Sequence, residues 1–310
     1  MPMRRLAQAG TLLAVVAVSI VFGGCTDDRI GEVRKYVAPK VVEADAEPVP
    51  NEAFGGAFLG QDAPPAVGRP TAGGVLGPRL DPLETPGRWP FYWTRAVYAG
   101  YSRGGWGRSR SGSWATDYPK GDRQFLVVLK RLVRLNAYDW ENAVDLADPK
   151  IRRFPIIYAV EVGRMDMNEA QVEGLRGYLD AGGFLIVDDF WGSREWAQFE
   201  YNMTRVFPGR SIQSIPLDHP LFSAFYDIDE ILQVPNINNG ASGYQTHERD
   251  GYNPYVRGIF DDLGRLMVVI NHNTDLGDAW EWAESPYYPL SYSTYAYEMG
   301  TNMIVYGMTH

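Results

Sequence analysis

Residues Phe154–Asp189, FPIIYAVEVGRMDMNEAQVEGLRGYLDAGGFLIVDD, decide the fold class of this chain. Two short apolar runs, Phe154–Val160 and Phe184–Val187, have the length and composition of buried strands. Between them, Asp166–Glu169 offers a capping box, and Gly182 ends the amphipathic stretch that follows. The segment therefore predicts a strand–helix–strand unit whose parallel strands are joined by a right-handed crossover.

Further strands and helices alternate on both sides of this unit. The predicted elements are a strand at Pro90–Val97, a helix at Asp122–Leu135, a helix capped by Ser193, a hairpin of Val256–Phe260 and Arg265–Ile270, and a closing helix at Thr294–Met308. Alternation of this kind is typical of a mostly parallel sheet covered by helices on both faces. The expected fold class is α/β, a doubly wound and mostly parallel sheet with an added late hairpin.

The start of the chain has the layout of a secretory signal. Two arginines precede the apolar run Thr11–Phe22, and Gly23-Gly24-Cys25 follows it in the manner of a bacterial lipobox. Residues 1–24 are therefore expected to be a lipoprotein signal peptide, with Cys25 lipidated. An uncleaved anchor is the alternative, although the stretch Leu6–Phe22 is shorter than the ~20 residues of a spanning helix.

A segment rich in small residues and proline follows the cysteine. Pro, Gly and Ala supply 26 of the 63 residues from Thr26 to Arg88, so residues 25–88 are expected to be a flexible tether. Residues 89–310 are expected to form a single α/β domain. Because Thr26 rather than Asp follows the cysteine, the predicted location is the periplasmic face of the outer membrane, and the inner membrane is the less favoured alternative.

Charge and cysteine content exclude several classes of function. The chain has 29 Lys and Arg against 38 Asp and Glu, a net charge of −9. An acidic chain of this kind is a poor partner for nucleic acid, since phosphate binding needs clustered Lys and Arg. The single cysteine excludes an internal disulfide, a CxxC redox pair and a cysteine-rich zinc site.

Ligands of doubly wound sheets bind beyond the carboxyl ends of the strands. The residues that the predicted strands and their connections bring to this edge are Arg95, Asp117, Asp188, Asp189, His219, His272 and Asp275. We expect them to converge in one cleft, where Arg95 holds one carboxylate bidentately. An equally open alternative is that Asp188 or Asp189 caps the next helix beside Ser193 or pairs with Arg95. His219 and His272 on opposite edges of the sheet would contradict the cleft.

Two kinds of chemistry are open at the predicted cleft. Asp188, Asp189, His219 and His272 are the candidates for acid–base catalysis. His219, His272 and Asp275 form a weak candidate set for a divalent metal ion, because the HxxD spacing of the last two is a frequent accidental one. No cofactor is predicted on this basis, while a divalent metal ion stays open.

Tryptophan side chains are a third kind of candidate. Trp and Tyr beside carboxylates stack on sugar rings, although most such rings serve core packing. The tryptophans that we consider as ligand contacts are Trp106, Trp114, Trp191 and Trp280.

Several separated motifs follow the order found in one bacterial family. They are Phe91–Arg95, Trp114–Pro119, Asp180–Phe190, His219–Phe222 and Gly300–Tyr306. On these residues, the segment from about Trp89 to His310 resembles the domain of unknown function 4159. That family is similar to class I glutamine-amidotransferase-like and trehalose-utilisation-like folds. The resemblance therefore implies a sheet of the flavodoxin and glutamine-amidotransferase-like type, and it implies no activity.

The related amidotransferases nevertheless allow one check. Active members carry a nucleophilic cysteine in the elbow after the corresponding strand, where this chain has Asp188-Asp189-Phe190-Trp191-Gly192. Since thiolate chemistry needs a thiol and the only cysteine is Cys25, glutaminase activity is not expected. The function that we expect is non-catalytic binding of a cell-envelope glycan, peptide or protein partner at the strand-end cleft. The alternative is an Asp/His-based hydrolase, metal-assisted or not, that acts on a carbohydrate-like substrate.

Overall fold

The computed structural model describes residues 90–101, 108–109 and 113–310. The predicted signal peptide, Cys25, the predicted tether and Trp106 lie outside the described residues. Within the described part of the chain, no helix combines the length and the apolar content that crossing a membrane requires.

One seven-stranded sheet organises the fold. The strands found in the described residues are β1 (Thr94–Val97), β2 (Gly100–Tyr101), β3 (Arg108–Ser109), β4 (Asn142–Asp145), β5 (Ile156–Val160), β6 (Phe184–Asp188), β7 (Gln213–Ser214), β8 (Tyr255–Phe260) and β9 (Leu266–His272). The sheet has the order β4-β1-β5-β6-β9-β8-β7, while β2 and β3 pair separately. The first five strands of that order are parallel, and β8 runs antiparallel to β9 and to β7. The predicted α/β class, with a mostly parallel sheet and a late hairpin, is confirmed.

Helices cover the sheet on both faces. They are α1 (Lys120–Leu132), α2 (Glu169–Asp180), α3 (Gly192–Val206), α4 (Ile237–Ser242), α5 (Leu276–Glu281) and α6 (Leu290–Thr309). Side chains of a strand alternate between its two faces. Accordingly, Tyr158 of β5 lies in an apolar cluster with side chains of α1 and α6, while its neighbour Ile157 lies in a second cluster with side chains of α2 and α3. Both faces of β5 are therefore buried, as its continuous apolar sequence predicts.

Local signals set the helix ends in this sheet. Asn168 caps α2 and forms a capping box with Gln171, so the box lies two residues later than the predicted one at Asp166–Glu169. Gly182 follows the helix with a φ of +100°, a conformation that favours glycine. The prediction that Ser193 caps the next helix is wrong, because α3 begins at Gly192 and Trp191 occupies the cap position. The amide and the hydroxyl of Ser193 instead donate hydrogen bonds to Asp250.

Candidate functional site

An acidic cavity lies at the carboxyl edge of the parallel strands. Glu161 directly follows β5, Asp189 directly follows β6, and Asp275 comes three residues after the end of β9. Asp117 lies near the end of the long connection between β1 and the helix at Lys120–Leu132. These residues border one cavity of about 210 Å³. Parallel strands end at a common edge, so residues distant in sequence meet there.

Carboxylates dominate the lining of this acidic cavity. The described residues that contribute them are Asp117, Glu161, Asp189, Glu248, Asp275, Asp278 and Glu281. Arg164 and Arg249 are the basic residues of the described lining. Arg164 pairs with Glu161 at 3.3 Å, and Arg249 pairs with Glu195 at 3.0 Å, so both guanidinium groups already have acidic partners.

Two groups of carboxylates within the cavity have metal-binding spacing. Asp117, Asp189 and Asp275 each offer an oxygen within 4.8 Å of the other two, and the same holds for Asp117, Asp278 and Glu281. Asp117 therefore belongs to both groups. Among the described residues, no Lys, Arg or His nitrogen lies within 4.0 Å of any of these five carboxylates. No direct ion pair within the described residues therefore neutralises these five carboxylates, although the charges of Arg95 and Lys120 act on Asp117 and Glu281 from a longer distance.

Hydrogen bonds fix most of these carboxylates in place. Asp189 accepts from the indole Nε1 of Trp191 at 3.1 Å, and Asp275 accepts from the backbone N–H of Asp278 at 2.8 Å. The Oδ2 atom of Asp117 differs, because it is enclosed and receives no hydrogen bond from the described residues. A Cβ on Gly277 would lie 2.8 Å from this atom, so any larger residue here would push against the Asp117 carboxylate. Enclosed carboxylate oxygens normally have a partner, and within the described residues the Asp117 carboxyl has only a hydrogen bond shared with the Asp278 carboxyl.

Backbone strain is concentrated at the same place. Asp117, Glu161, Asp189 and Arg249 have φ values of +60°, +53°, +49° and +51°, and all four line the acidic cavity. The left-handed region costs a non-glycine residue about 1–3 kcal/mol, and such residues cluster at functional sites. The fold therefore holds these four residues in their positions at a cost in stability.

Burial keeps the acidic carboxyls from ionising freely. It is the largest cause that raises the pKa of Asp117, Asp189 and Asp275 well above the ordinary value. The negative charges of neighbouring carboxylates add to the effect, Asp278 for Asp117, Glu161 for Asp189 and Asp189 for Asp275. Burial also raises the pKa of Asp278 and Glu281. Either protons or a cation must balance this cluster at neutral pH.

Asp188 lies outside the acidic cavity despite being adjacent to Asp189. Its side chain is fully buried, and its Oδ2 accepts hydrogen bonds from the Tyr158 hydroxyl at 2.8 Å and from the backbone N–H groups of Leu276 and Gly277 at 2.9 and 3.1 Å. Asp188 thus caps the start of α5, a different helix from the predicted one. Its expected place in the cleft is corrected to this capping position.

Arg95 does not hold any carboxylate of the acidic cavity. It is buried and forms an ion pair with Asp122 of α1, through both Nε and Nη2. Its Nη1 donates to the backbone carbonyls of Trp114 and Thr116 at 3.1 and 2.9 Å. The predicted pairing of Arg95 with Asp188 or Asp189 is therefore wrong. Arg95 instead anchors the loop that presents Asp117.

The two histidines lie at opposite edges of the sheet. The His219 ring lies near Phe260, at the end of β8, and near Tyr306 of α6, with ring centroids 6.0 and 5.5 Å apart. Tyr306 in turn packs near Phe184, the first residue of β6, so His219 lies at the amino edge. His272 ends β9 at the carboxyl edge, in a pocket beside the acidic cavity. The predicted cleft containing both histidines is contradicted, and neither belongs to a metal-spaced group among the described residues.

The candidate tryptophans lie in different environments. Trp114 and Trp280 are 3% and 1% exposed and do not line the cavity, so their expected role as ligand contacts is corrected to core packing. Trp280 packs against Trp93, Phe125 and Tyr158. Trp191 does line the cavity and donates to Asp189, which matches its predicted position.

Asp278 and Glu281 were missing from the sequence-based candidates. They follow Asp275 at intervals of three residues, a spacing that places the three carboxylates along one side of a short helix. This spacing was the available signal. The aromatic residues around it, such as Trp280 and Trp282, instead suggested a stacking surface.

The fold and the cavity define an α/β domain with a carboxylate-rich cavity at the carboxyl edge of its parallel strands. A family model described as domain of unknown function (DUF4159) matches residues 101–308, which are 208 of the 310 residues. The chain therefore belongs to this family, as its motifs predict. No curated protein matches the chain. The family description assigns no activity, so the function must be argued from the site itself.

Proposed function

We propose that this domain binds a hard divalent cation in its acidic cavity and, through it, an oxygen-rich ligand such as a cell-envelope glycan. Asp117, Asp189 and Asp275 are the cation ligands in this proposal. Carboxylate oxygens suit Ca²⁺, Mg²⁺ and Mn²⁺, whereas zinc favours nitrogen and sulfur donors. Because Ca²⁺ takes six to eight oxygen ligands, three aspartates leave positions open for ligand hydroxyl groups.

One observation carries the proposal. The enclosed Oδ2 of Asp117 receives no N–H or hydroxyl hydrogen bond from the described residues. It lies in a cluster whose oxygens are within 4.8 Å of one another and form no direct ion pair with a described basic residue. A bare cluster of this kind is unfavourable, since like charges repel and buried charges are poorly solvated. A bound cation removes both costs. A cavity of about 210 Å³ also favours the glycan over the peptide and protein ligands that the sequence left open.

The proposed fold type supports this location. We propose that the sheet is of the flavodoxin and glutamine-amidotransferase-like type. Numbered in chain order, the five parallel strands have the spatial order 2-1-3-4-5, which is typical of flavodoxin-like sheets. Ligands of such sheets bind where the order reverses, which here lies between β1 and β5. Asp117 and Glu161 follow these two strands.

The proposal includes attachment to the cell envelope. The predicted lipid on Cys25 and the predicted tether would hold the domain at the periplasmic face of the outer membrane, or less favourably at the inner membrane. A domain held there would meet envelope glycans. We infer no nucleic-acid partner, because the chain carries a net charge of −9.

The alternative function is a metal-assisted hydrolase acting on a carbohydrate-like substrate. The observation that favours it is the presence of Asp117 in both carboxylate groups, an arrangement that suits two adjacent cations bridged by one side chain. Asp278 and Glu281 would complete the second position. His219 has no part in this version, because it lies at the other edge of the sheet. Metal-dependent release of sugar from envelope polysaccharide would favour this alternative.

Calorimetric titration of the full chain tests the proposal. After treatment with a chelator, the protein is titrated with Ca²⁺, Mg²⁺ and Mn²⁺ in separate experiments. We expect saturable binding of at least one cation, with affinity that rises with pH because the carboxyls must lose their protons first. Asp189→Asn should weaken binding roughly tenfold or more, since it removes one charged ligand.

The matched control is Glu173→Gln, which removes one exposed carboxylate from α2. It changes the net charge by the same amount and should leave cation affinity unchanged. Equal weakening by the two variants would mean that the cation responds only to overall charge. That result, or no binding to the unaltered chain, would contradict the proposal.

A further inference from the structure

A second pocket lies beside the acidic cavity. It has a volume of about 250 Å³ and is lined by residues of β8, β9 and the start of α3, together with the loop that precedes β8. The two sites are adjacent, because Trp191 lines the acidic cavity while Gly192 lines this second pocket. The neighbours Arg249 and Asp250 are divided in the same way. We call it the arginine pocket, after Arg257.

Arg257 is held rigidly in this pocket by uncharged groups. Its guanidinium carbon lies 4.2 Å from the ring centroid of Trp196 and 4.2 Å from that of Tyr255. Its Nη1 lies 3.1 Å from Nδ1 of His272, whose Nε2 lies 3.4 Å from the carbonyl oxygen of Gly192. Burial, followed by the charge of Arg257, lowers the pKa of His272 to about 4. The imidazole is therefore neutral at physiological pH, with Nδ1 accepting from Arg257 and Nε2–H directed at Gly192.

The guanidinium has unused donors. Among the described residues, no carboxylate lies within 4.0 Å of Arg257, in contrast to Arg95, which pairs with Asp122. The N–H groups at Nε and Nη2 have no acceptor in the described part of the protein and remain open to solvent. A half-buried, immobilised arginine without an acidic partner is suited to an anion from outside the chain.

We propose that the arginine pocket binds the carboxylate of an acidic sugar. The Nε and Nη2 edge of Arg257 matches a planar carboxylate through two parallel hydrogen bonds. Tyr252 and Asn253 lie at the rim, where they can contact the ring and its hydroxyl groups. The volume is below the ~300–1,000 Å³ of pockets for drug-sized ligands, which fits a single sugar unit.

The charge of the surroundings selects among anions. Asp250 lines the same pocket, and the acidic cavity lies next to it. A dianionic phosphate ester meets more repulsion from these groups than a singly charged carboxylate does. The carboxylate is therefore the favoured ligand. The inference does not depend on the cation proposal, since no residue of the arginine pocket belongs to the metal-spaced groups.

The experiment uses the full chain in the presence of a chelator, so that cation binding plays no part. D-glucuronate is titrated while saturation-transfer NMR and calorimetry follow binding, and D-glucose and D-glucose 6-phosphate serve as comparators. We expect saturable binding of glucuronate, none of glucose, and weaker binding of the phosphate ester. Arg257→Gln should weaken glucuronate binding roughly tenfold or more, as expected for the loss of a charged hydrogen-bond pair.

Two further variants keep the test decisive. Arg210→Gln removes a half-buried arginine that also lies over an aromatic ring but pairs with Asp262, and it should leave glucuronate binding unchanged. Arg257→Lys keeps the charge and should still lose most of the affinity, because an ammonium cannot form the paired contact. Should Arg257→Gln fail to fold, the lysine variant decides. Unchanged binding in the lysine variant, tighter binding of the phosphate ester, equal binding of glucose or no binding of glucuronate would each overturn the proposal.

Discussion

Asp188 and Asp189 are adjacent in sequence and have opposite roles. The strand alternation and the left-handed φ of Asp189 send one carboxylate under α5 and the other into the acidic cavity. Asp188 is fully satisfied at Oδ2, where it caps backbone N–H groups. Asp189 accepts one indole N–H and faces the other carboxylates. Asp188 therefore supports the fold around the acidic cavity, whereas Asp189 is part of the cavity itself.

The first prediction concerns the pH dependence of stability through Asp188. Burial raises its pKa from 3.8 to about 7, so the folded state holds this proton more tightly than the unfolded state does. The resulting stabilisation is complete below about pH 4 and is lost as the pH rises through 7. Asp188→Asn keeps an acceptor without the charge. We compare the variant with the unaltered chain in the presence of a chelator. Between pH 5 and 8, the free energy of unfolding of the Asp188→Asn variant should fall less steeply than that of the unaltered chain, by up to about 1.4 kcal/mol per pH unit.

Urea denaturation at several pH values measures this effect. As a comparison, Asp188→Ala should lower the free energy of unfolding at pH 5 by about 2–4 kcal/mol, because buried donors lose their acceptor. Identical pH slopes for the asparagine variant and the unaltered chain would refute the assignment of this proton to Asp188.

At the scale of elements, Arg95 connects β1, α1 and the loop that carries Asp117. Its ion pair with Asp122 is buried, and its hydrogen bonds to the carbonyls of Trp114 and Thr116 hold the residues directly before Asp117. The position of Asp117 in the acidic cavity therefore depends on a pair that lies outside it. Such a residue positions the site and has no contact with the cation in the proposed function.

The second prediction concerns this buried pair. Arg95→Gln should lower the free energy of unfolding by about 3–5 kcal/mol, since it leaves Asp122 buried without its partner. Lys130→Gln is the control, because Lys130 lies on the same helix as Asp122 and its pair with Asp139 is exposed, so the substitution should cost about 1 kcal/mol or less. Chemical denaturation compares the two. Equal losses would show that the burial of the Arg95 pair has no energetic consequence.

Elements with strong local signals could be predicted from the sequence, and tertiary placement could not. The runs that became β5 and β6 and the late hairpin carry their own apolar composition or turn residues. The start of α2 was predicted two residues too early, with a capping box at Asp166–Glu169 in place of Asn168 and Gln171. His219 lies on a connection without such a pattern, so nothing local shows at which edge it ends. The short helix α5 has too few residues for a hydrophobic period, so the three-residue spacing of Asp275, Asp278 and Glu281 was not recognised as one side of a helix. Burial of Trp114 and Trp280 depends on partners far away in sequence.

For the whole molecule, the expected removal of the signal peptide makes the protein more acidic. Removing residues 1–24 takes away Arg4 and Arg5 and no acid, so the net charge goes from −9 to −11. An acidic domain of this kind attracts divalent cations from the surrounding solution. The acidic cavity concentrates part of that charge in one enclosed place, where a specific cation can replace diffuse counter-ions.

The third prediction tests attachment through Cys25. Cys25→Ser should abolish labelling by a radioactive lipid precursor and move the protein from the membrane fraction to the soluble periplasmic fraction. The physical reason is that the proposed lipid supplies the membrane affinity. Fractionation followed by immunoblotting measures the change. Membrane retention of the serine variant without any label would instead indicate an uncleaved anchor helix.

In the proposed function, Asp117, Asp189 and Asp275 together hold one divalent cation. Anomalous diffraction from a crystal of the protein soaked in Mn²⁺ tests it most directly, because it locates the ion relative to each oxygen. We expect an anomalous peak inside the acidic cavity, within about 2.6 Å of an oxygen from each of the three aspartates. A cavity without a peak, in which the three carboxyls share protons and hydrogen-bond to one another, would contradict it.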